Sequence, residues 1–390
     1  MMDPEETPPT DEIEPDPIPD QEEDKQSSDV VLVANVIEAS KDGEVVKYTI
    51  QTKEIMMGDE SEERGHVVVR ELDDFEWLDH CIKTQNDISG IIFPPLMTKH
   101  HVTALAAENK SKKQLGNKTK SMLGDEFTKE CRSLEKYIQL LLVHPMISKD
   151  VNLRKFLIDE ELPPRVKVKK GILNSLSKTV DEVRFTSHKD INDEFQSRRN
   201  FVNKYSTDIK SCTEAFTKMV NSQFKVASDL ACFANTASFS ITDGVNSKEM
   251  NRYLLEFASC LEKSRESQNV MAINDEKTLG FTLELYTNYM DGVKSMFLQR
   301  TQKLVKLESA QKALQKAKPQ NQQELEEAKN TAEEEFQDIS EKCEKEFSRF
   351  QRQRVLTFQS SLTKFTEAHI SNARDTYAML AKLLSDVKSI

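Results

Sequence analysis

Reactive side chains are abundant in this sequence, yet their spacing assembles none of them into a catalytic set. The 66 acidic residues fall largely on stretches that read as solvated helix faces, where choosing any two as an acid–base pair would be arbitrary. There is no nucleophile elbow, P-loop, HExxH pair or glycine-rich dinucleotide turn. The six cysteines, Cys81, Cys131, Cys212, Cys232, Cys260 and Cys343, include no Cys-X-X-Cys pair, and read as reduced core thiols of a cytosolic protein. Adjacent His100 and His101 are not at metal-ligand spacing. No enzyme activity, cofactor or metal is expected. Nor is nucleic-acid binding, since the chain is acidic and shows no aromatic-basic platform.

What the spacing does offer is interfacial chemistry. Between Arg165 and Val180, the basic residues Arg165, Lys167, Lys169, Lys170 and Lys178 flank an apolar stripe of Ile172, Leu173, Leu176 and Val180 at helical spacing. Gly171 and the shortness of the stretch argue against a stable free helix. A membrane surface would supply what is missing, with the stripe at the acyl boundary and the cations at the phosphates. The alternative is a linker that docks on a neighbouring domain.

The elements that must position such a segment are long helices. From Glu324 to Ile390 there is no proline or glycine, and Phe336, Ile339, Cys343, Phe347 and Phe350 step by three and four, as do residues from Phe358 to Leu384. A rod of that length runs on the order of 100 Å and needs other helices to cover its stripe. Asp190–Phe233 repeats the pattern with Val202, Tyr205, Ile209, Cys212, Phe216 and Met219. After Thr242–Gly244, Ser247 is a plausible N-cap for a helix from Lys248 to about Lys318, in which Gly280 and Gly292 are local weaknesses of about 1 kcal/mol each. Pro319 ends that helix, and Gln320–Gln323 turns into the last one, giving three long antiparallel helices.

The N-terminal part reads differently. Residues 1–25 carry eleven acidic side chains and one lysine, and residues 1–28 hold six of the twelve prolines, so this stretch is expected to be a disordered acidic tail. Removing its charge of −10 from the total of −12 leaves the remainder close to balanced, able to carry basic faces. Val30–Val36, Val45–Thr52 and His66–Leu72 predict a three-stranded antiparallel meander, followed by helices at Asp73–Lys83, Asp125–Val143 and Leu153–Leu157. No apolar run approaches 18 residues, so no span is expected, and no basic-then-apolar leader begins the chain.

This order of parts resembles the PX–BAR sorting nexins, over residues 29–390. Asp73-Asp74-Phe75-Glu76-Trp77-Leu78, Ile92-Phe93-Pro94-Pro95 with Thr98-Lys99, and His144-Pro145 with Ser148-Lys149-Asp150 resemble PX segments. Asp181–Thr186, Lys312–Ala317 and Phe350–Val355 resemble the BAR region of the sorting nexin 5/6/32 subgroup. The resemblance implies an α+β PX domain at 29–160 with a three-stranded antiparallel sheet, an amphipathic linker helix at 165–182, and an all-α three-helix BAR domain at 183–390. It further implies a cytoplasmic, non-catalytic adaptor, peripheral on early endosome membranes. That adaptor would be dimeric, pairing with a sorting nexin 1/2-like chain in retromer-linked endosome-to-Golgi retrograde transport. The alternative is a soluble coiled-coil scaffold recruited only through its partner.

By that resemblance, the usual phosphoinositide pocket should hold an Arg-aromatic pair and a later Arg. Glu71-Leu72 and Glu130 stand there instead. Carboxylates repel a phosphate about as strongly as guanidinium groups attract it, and Leu72 offers no stacking ring, so the pocket is expected to be degenerate. Strand alternation points Arg70 to the other face. Residual lipid contacts fall to Lys47, Lys99 and Lys113, and receptor-tail cargo to a groove at Phe127, which equally fits the helix core stripe. Candidates for the basic BAR surface are Arg198, Arg199, Lys204, Lys303, Lys306, Lys312, Lys316, Lys318, Arg349, Arg352 and Arg354. For any one of them, an ordinary helix-face ion pair is the competing reading. Polar intrusions at Gln223, Arg300 and His369 would lower self-pairing.

Overall fold

The computed structural model describes residues 30–42, 45–56, 63–97, 125–162, 188–239 and 247–388. The acidic tail (1–28), Lys99, Lys113 and the linker segment with Lys169, Lys170, Ile172, Leu173 and Leu176 lie outside the described residues.

Strands β1 (Val30–Asp42), β2 (Val45–Met56) and β3 (Glu63–Glu71) form the expected antiparallel sheet in the order β1-β2-β3. The β1–β2 register shifts between Val36 and Glu38, and the Val36 N–H donates to Glu135 Oε2 at 3.1 Å. A backbone donor at an irregular strand position thus finds a side-chain acceptor. The strands are longer than their apolar runs suggested, and Leu72 is not a strand residue: it opens α1 (Leu72–Gln85). Asp74 Oδ2 accepts from the Glu71 N–H at 2.6 Å, which closes the first turn of that helix. Helix α2 (Asp125–Val143) has the bounds that its stripe predicted. Asp150 caps α3 (Val151–Ile158), accepting from the Leu153 N–H at 2.9 Å. Phe75 joins sheet to helices, edge-on to Tyr48 and Phe156 with centroids 6.2 and 5.0 Å away.

Three rods follow: α4 (Asp193–Phe239), a second rod of α5 (Ser247–Asp275) and α6 (Phe281–Gln315), and α7 (Gln322–Lys388). The second rod is irregular at one of the two glycines expected to weaken it: Glu276–Gly280 forms a π-helical turn between α5 and α6. The rods share a core of Val202, Ile209, Tyr286, Met290, Phe297, Cys343 and Phe347. Burial pushes the Cys343 thiol up to about 12, so it is a packing residue and not a reactive one.

The first domain packs on the rods. Ile92 from the proline loop and Leu140 from α2 belong to the rods' core, not to that of the sheet. Gly292 shows why its position has no side chain: a Cβ there would lie 2.8 Å from the Phe93 carbonyl oxygen. Gly90, at φ +78°, sits tight against α7, where a Cβ would meet Ile339 Cγ1 and Lys342 Cβ at 3.1 Å. Gly292 is therefore a docking position and not the weak spot expected of it. Gly292→Leu should force the proline loop off α6 and lower the free energy of unfolding by about 1–3 kcal/mol, measured in urea with the loop's protease sensitivity as a second readout.

Candidate functional site

The residues where a phosphate pocket would lie are occupied by other contacts. Glu71 ends β3 directly opposite Lys47 on β2, and Leu72 packs partly buried against the first core. Glu130, half-buried on α2, accepts the Tyr48 hydroxyl at 2.5 Å. Burial, then the hydrogen bond and charge of Glu130, push that hydroxyl well above the ordinary tyrosine value. The structure thus brings Glu71 and Glu130 to adjacent β2 residues, Lys47 and Tyr48. Arg70 does point away as alternation requires: it is 2% exposed and donates to the carbonyls of Phe156, Glu160 and Asp159 at the end of α3. No guanidinium replaces the two glutamates from that side. Phe127 lies on α2, with its side chain outside the described residues.

Glu346 of α7 is the polar centre of the contact between domains. One oxygen accepts from the Ile92 N–H, His144 Nε2 and Arg349 at 3.3, 3.3 and 2.7 Å. His144 Nδ1 faces the Met146 and Ile147 N–H groups at 3.3 Å, which fixes the tautomer with the proton on Nε2. Burial alone would raise the Glu346 carboxyl, but the His144 bond, the nearby Arg349 charge and the Ile92 N–H together hold it below the usual glutamate value. Lys129 of α2 bridges to Glu284 and Glu276 at 2.9 and 3.4 Å, Lys342 reaches Asp87 at 3.3 Å, and the Gly90 N–H donates to Gln299 at 3.0 Å.

Several proposed surface cations are structural instead. Arg198 clamps α4 to α7 through Glu344 at 2.6 and 2.7 Å and lies over the Phe195 and Phe347 rings. Arg199 donates to the His188 carbonyl at 2.8 Å, and burial holds it below the usual arginine value. Arg349 serves Glu346, and Arg354 lies 5.3 and 4.6 Å over Phe201 and Tyr205. These four are half-buried, each committed to a carboxylate, a carbonyl or an aromatic ring of the chain itself. Lys303 and Lys306 share Glu335 at 3.0 and 2.7 Å. Lys204, Lys312, Lys316, Lys318 and Arg352 remain exposed.

Arg300 is likewise no seam residue. It is 2% exposed, pairs with buried Asp190, donates to Ser340 at 3.0 Å and lies 3.6 Å over Phe195. Gln223 and His369 converge instead. Asp275, fully buried before the π turn, accepts from Gln223 Nε2 of α4 at 2.8 Å and from His369 Nε2 of α7 at 2.9 Å. Asp275, Glu346 and Lys129 were not anticipated, because their partners come from distant segments. The only advance signal was a glycine inside a helix at 280 and at 292.

Residues 169–385 match the family described as Vps5 C terminal like, and residues 59–160 match the PX domain. Sorting nexin-6 of Pongo abelii is 26% identical over 380 residues, covering 92% of each chain. Sorting nexin-32 of Mus musculus is 25% identical over 385 residues, covering 92% of this chain and 94% of its own. The solved structure of the SNX-BAR Mvp1 tetramer aligns with a TM-score of 0.54 at 15% identity, covering 92% of this chain and 100% of that one, a likeness of fold.

Two measurements probe this geometry. Tyr48→Phe should remove the hydroxyl donor to Glu130 and cost about 1–2 kcal/mol in calorimetry. Because the Glu346 carboxyl is lower in the folded than in the unfolded chain, its contribution is complete above the unfolded value and fades as pH falls through the folded one. Glu346→Gln should therefore be less stable near neutrality and lose less as pH falls below the ordinary glutamate value, followed by thermal melts from neutrality down to pH about 2.

Proposed function

The chain belongs to the PX–BAR sorting nexins, its longer matched region covering more than half its length, and from that premise we propose how it works as a membrane-associated trafficking adaptor. It acts as a non-catalytic dimer, peripheral on the cytoplasmic face of early endosomes, in retromer-linked retrograde transport to the Golgi. Its partner is a sorting nexin 1/2-like chain. Its PX domain does not read phosphoinositides through the usual pocket: Glu71, Leu72 and Glu130 offer repulsion and no stacking ring where guanidinium groups would be needed.

The observation that carries the dimer is where apolar side chains stay exposed. On the rods they occur on α4 from Phe201 to Phe233, on α5 from Met250 to Val270, and on α7 from Val355 to Val387. Among the described residues, none occurs on α6 or on α7 before Val355, the half against which the PX domain packs. Eight such residues on α7 alone, doubled in a pair, stand for on the order of 15 kcal/mol of burial, against an association cost of about 4–15 kcal/mol. A self-contained monomer would not leave that face to water.

The bilayer is engaged by the segment Lys169, Lys170, Ile172, Leu173 and Leu176, with exposed Lys312, Lys316, Lys318 and Arg352 adding about 1 kcal/mol each beside anionic lipid. Recruitment only through the partner is the second reading, favoured by the inward use of Arg198, Arg199, Arg349 and Arg354. Receptor-tail capture at Phe127 and residual contacts at Lys47, Lys99 and Lys113 belong to the same proposal. The deciding experiment is sedimentation with anionic vesicles, alone and with the partner. Ile172→Asp with Leu176→Asp should abolish lipid-dependent sedimentation; sedimentation unchanged by this pair of substitutions would favour the second reading. Tyr377→Asp with Leu384→Asp should shift the chain to monomer in light scattering.

A further inference from the structure

Where the proline loop meets α6, packing stops short of closing and leaves a cleft of about 620 Å³. That is the size of a ligand site and far larger than a packing fault. One wall is apolar, from Ile88, Pro94, Pro95 and Leu96, and the other is the polar face of α6 with Asp291 and Ser295. The spacing of the walls is set by the fold itself: the Gly90 N–H donates to Gln299 at 3.0 Å, and the Phe93 carbonyl is seated on Gly292. A ligand need not reorder them, which lowers the cost of binding. The cleft continues along α6 into a smaller one of about 320 Å³ that reaches α4, and Asp291 and Ser295 line both. A ligand that fills them is elongated, as an extended peptide is and a small ion is not. Helix α6 carries none of the exposed large apolar side chains, so this cleft lies apart from the apolar face of the rods.

The charge of the larger cleft is acidic. Glu76 and Asp79 stand on α1 and Asp291 on α6, and Lys83 is the one cation among the lining residues. Lys83 is committed: its Nζ pairs with Asp79 at 2.7 Å and lies 4.6 Å over the Phe93 ring. The other Asp79 oxygen accepts the Tyr137 hydroxyl at 3.1 Å. Asp291 differs. It is exposed, and its carboxylate makes no ion pair or side-chain hydrogen bond among the described residues. A carboxylate that shares a cleft with a wall of prolines suits a cation with a flat, weakly hydrated body. Arginine has one: the planar guanidinium forks onto a carboxylate and sheds water readily, whereas the compact lysine ammonium holds its water.

We propose that this cleft binds an arginine-bearing peptide segment of a partner protein, with the guanidinium on Asp291 and a neighbouring apolar side chain against Pro94 and Pro95. Glu76, on the opposite wall, adds to the negative potential that draws the cation in. The sheet domain supplies one wall and α6 the other, so neither domain alone presents the site. A partner that binds here reads the docked arrangement of the two domains, and does so whether or not the chain pairs with another.

The test uses pools of short acetylated peptides with a central arginine and randomised flanks, beside matched pools with a central lysine or glutamate. Each pool is passed over the immobilised full chain, and the retained fraction is measured by mass spectrometry. The arginine pool should be retained about ten-fold over the glutamate pool, as one charge-assisted hydrogen-bonded pair implies, with the lysine pool between them. Asp291→Ser should remove that preference and Asp291→Glu should keep it. Asp229→Ser, at an exposed carboxylate of α4 that does not line the cleft, should leave it unchanged. Equal retention of the three pools, or an arginine preference that survives Asp291→Ser, overturns the proposal. So does a preference that emerges only in a chain carrying Ile172→Asp and Leu176→Asp, which assigns the cleft to the chain's own basic linker instead of a partner.

Discussion

The arrangement of this protein depends on one contact without room for a side chain: the Phe93 carbonyl seated against Gly292 of α6. Around it, Gly90 closes on α7, and Glu346 gathers a backbone N–H, an imidazole and a guanidinium. Backbone approach at two glycines fixes distance, and the buried carboxylate fixes direction. The sheet domain is consequently not a bead on a string. Ile92 and Leu140 are counted among the rods' own core, so whatever the rods bind is presented in a set orientation relative to the PX domain.

Charge is spent inward in the same region. Arg300 with Asp190, Arg198 with Glu344 and Arg354 over Tyr205 hold helices together from within. Removing one partner of a buried pair such as Arg300–Asp190 typically costs about 3–5 kcal/mol, because the other charge is stranded. A count of basic residues on a helix therefore overstates the surface available to phosphate. Beside the turn between α6 and α7, Lys312, Lys316 and Lys318 keep their exposure.

Much of this was legible from spacing. The stripe of α2 predicted Asp125–Val143 to the residue, the strand meander was read in order, and alternation placed Arg70 correctly, because each follows from local periodicity. The bundle arginines were not legible, since their acceptors lie far away in sequence: Arg198 and Glu344 are 146 residues apart. Gly292 was misread for the same reason. In isolation a helical glycine is a weakness, and only the loop packed against it turns the missing Cβ into a fit.

The π turn at Glu276–Gly280 carries a geometric consequence of its own. Each residue of a regular helix advances the azimuth by about 100°, and a wider turn holds one residue more than the pitch would allow. Side chains upstream and downstream are therefore out of phase by roughly that angle. Without the surplus residue, the faces of α5 and α6 would share one azimuth along the whole second rod; with it, the inner and outer arms of the rod can each address a different neighbour.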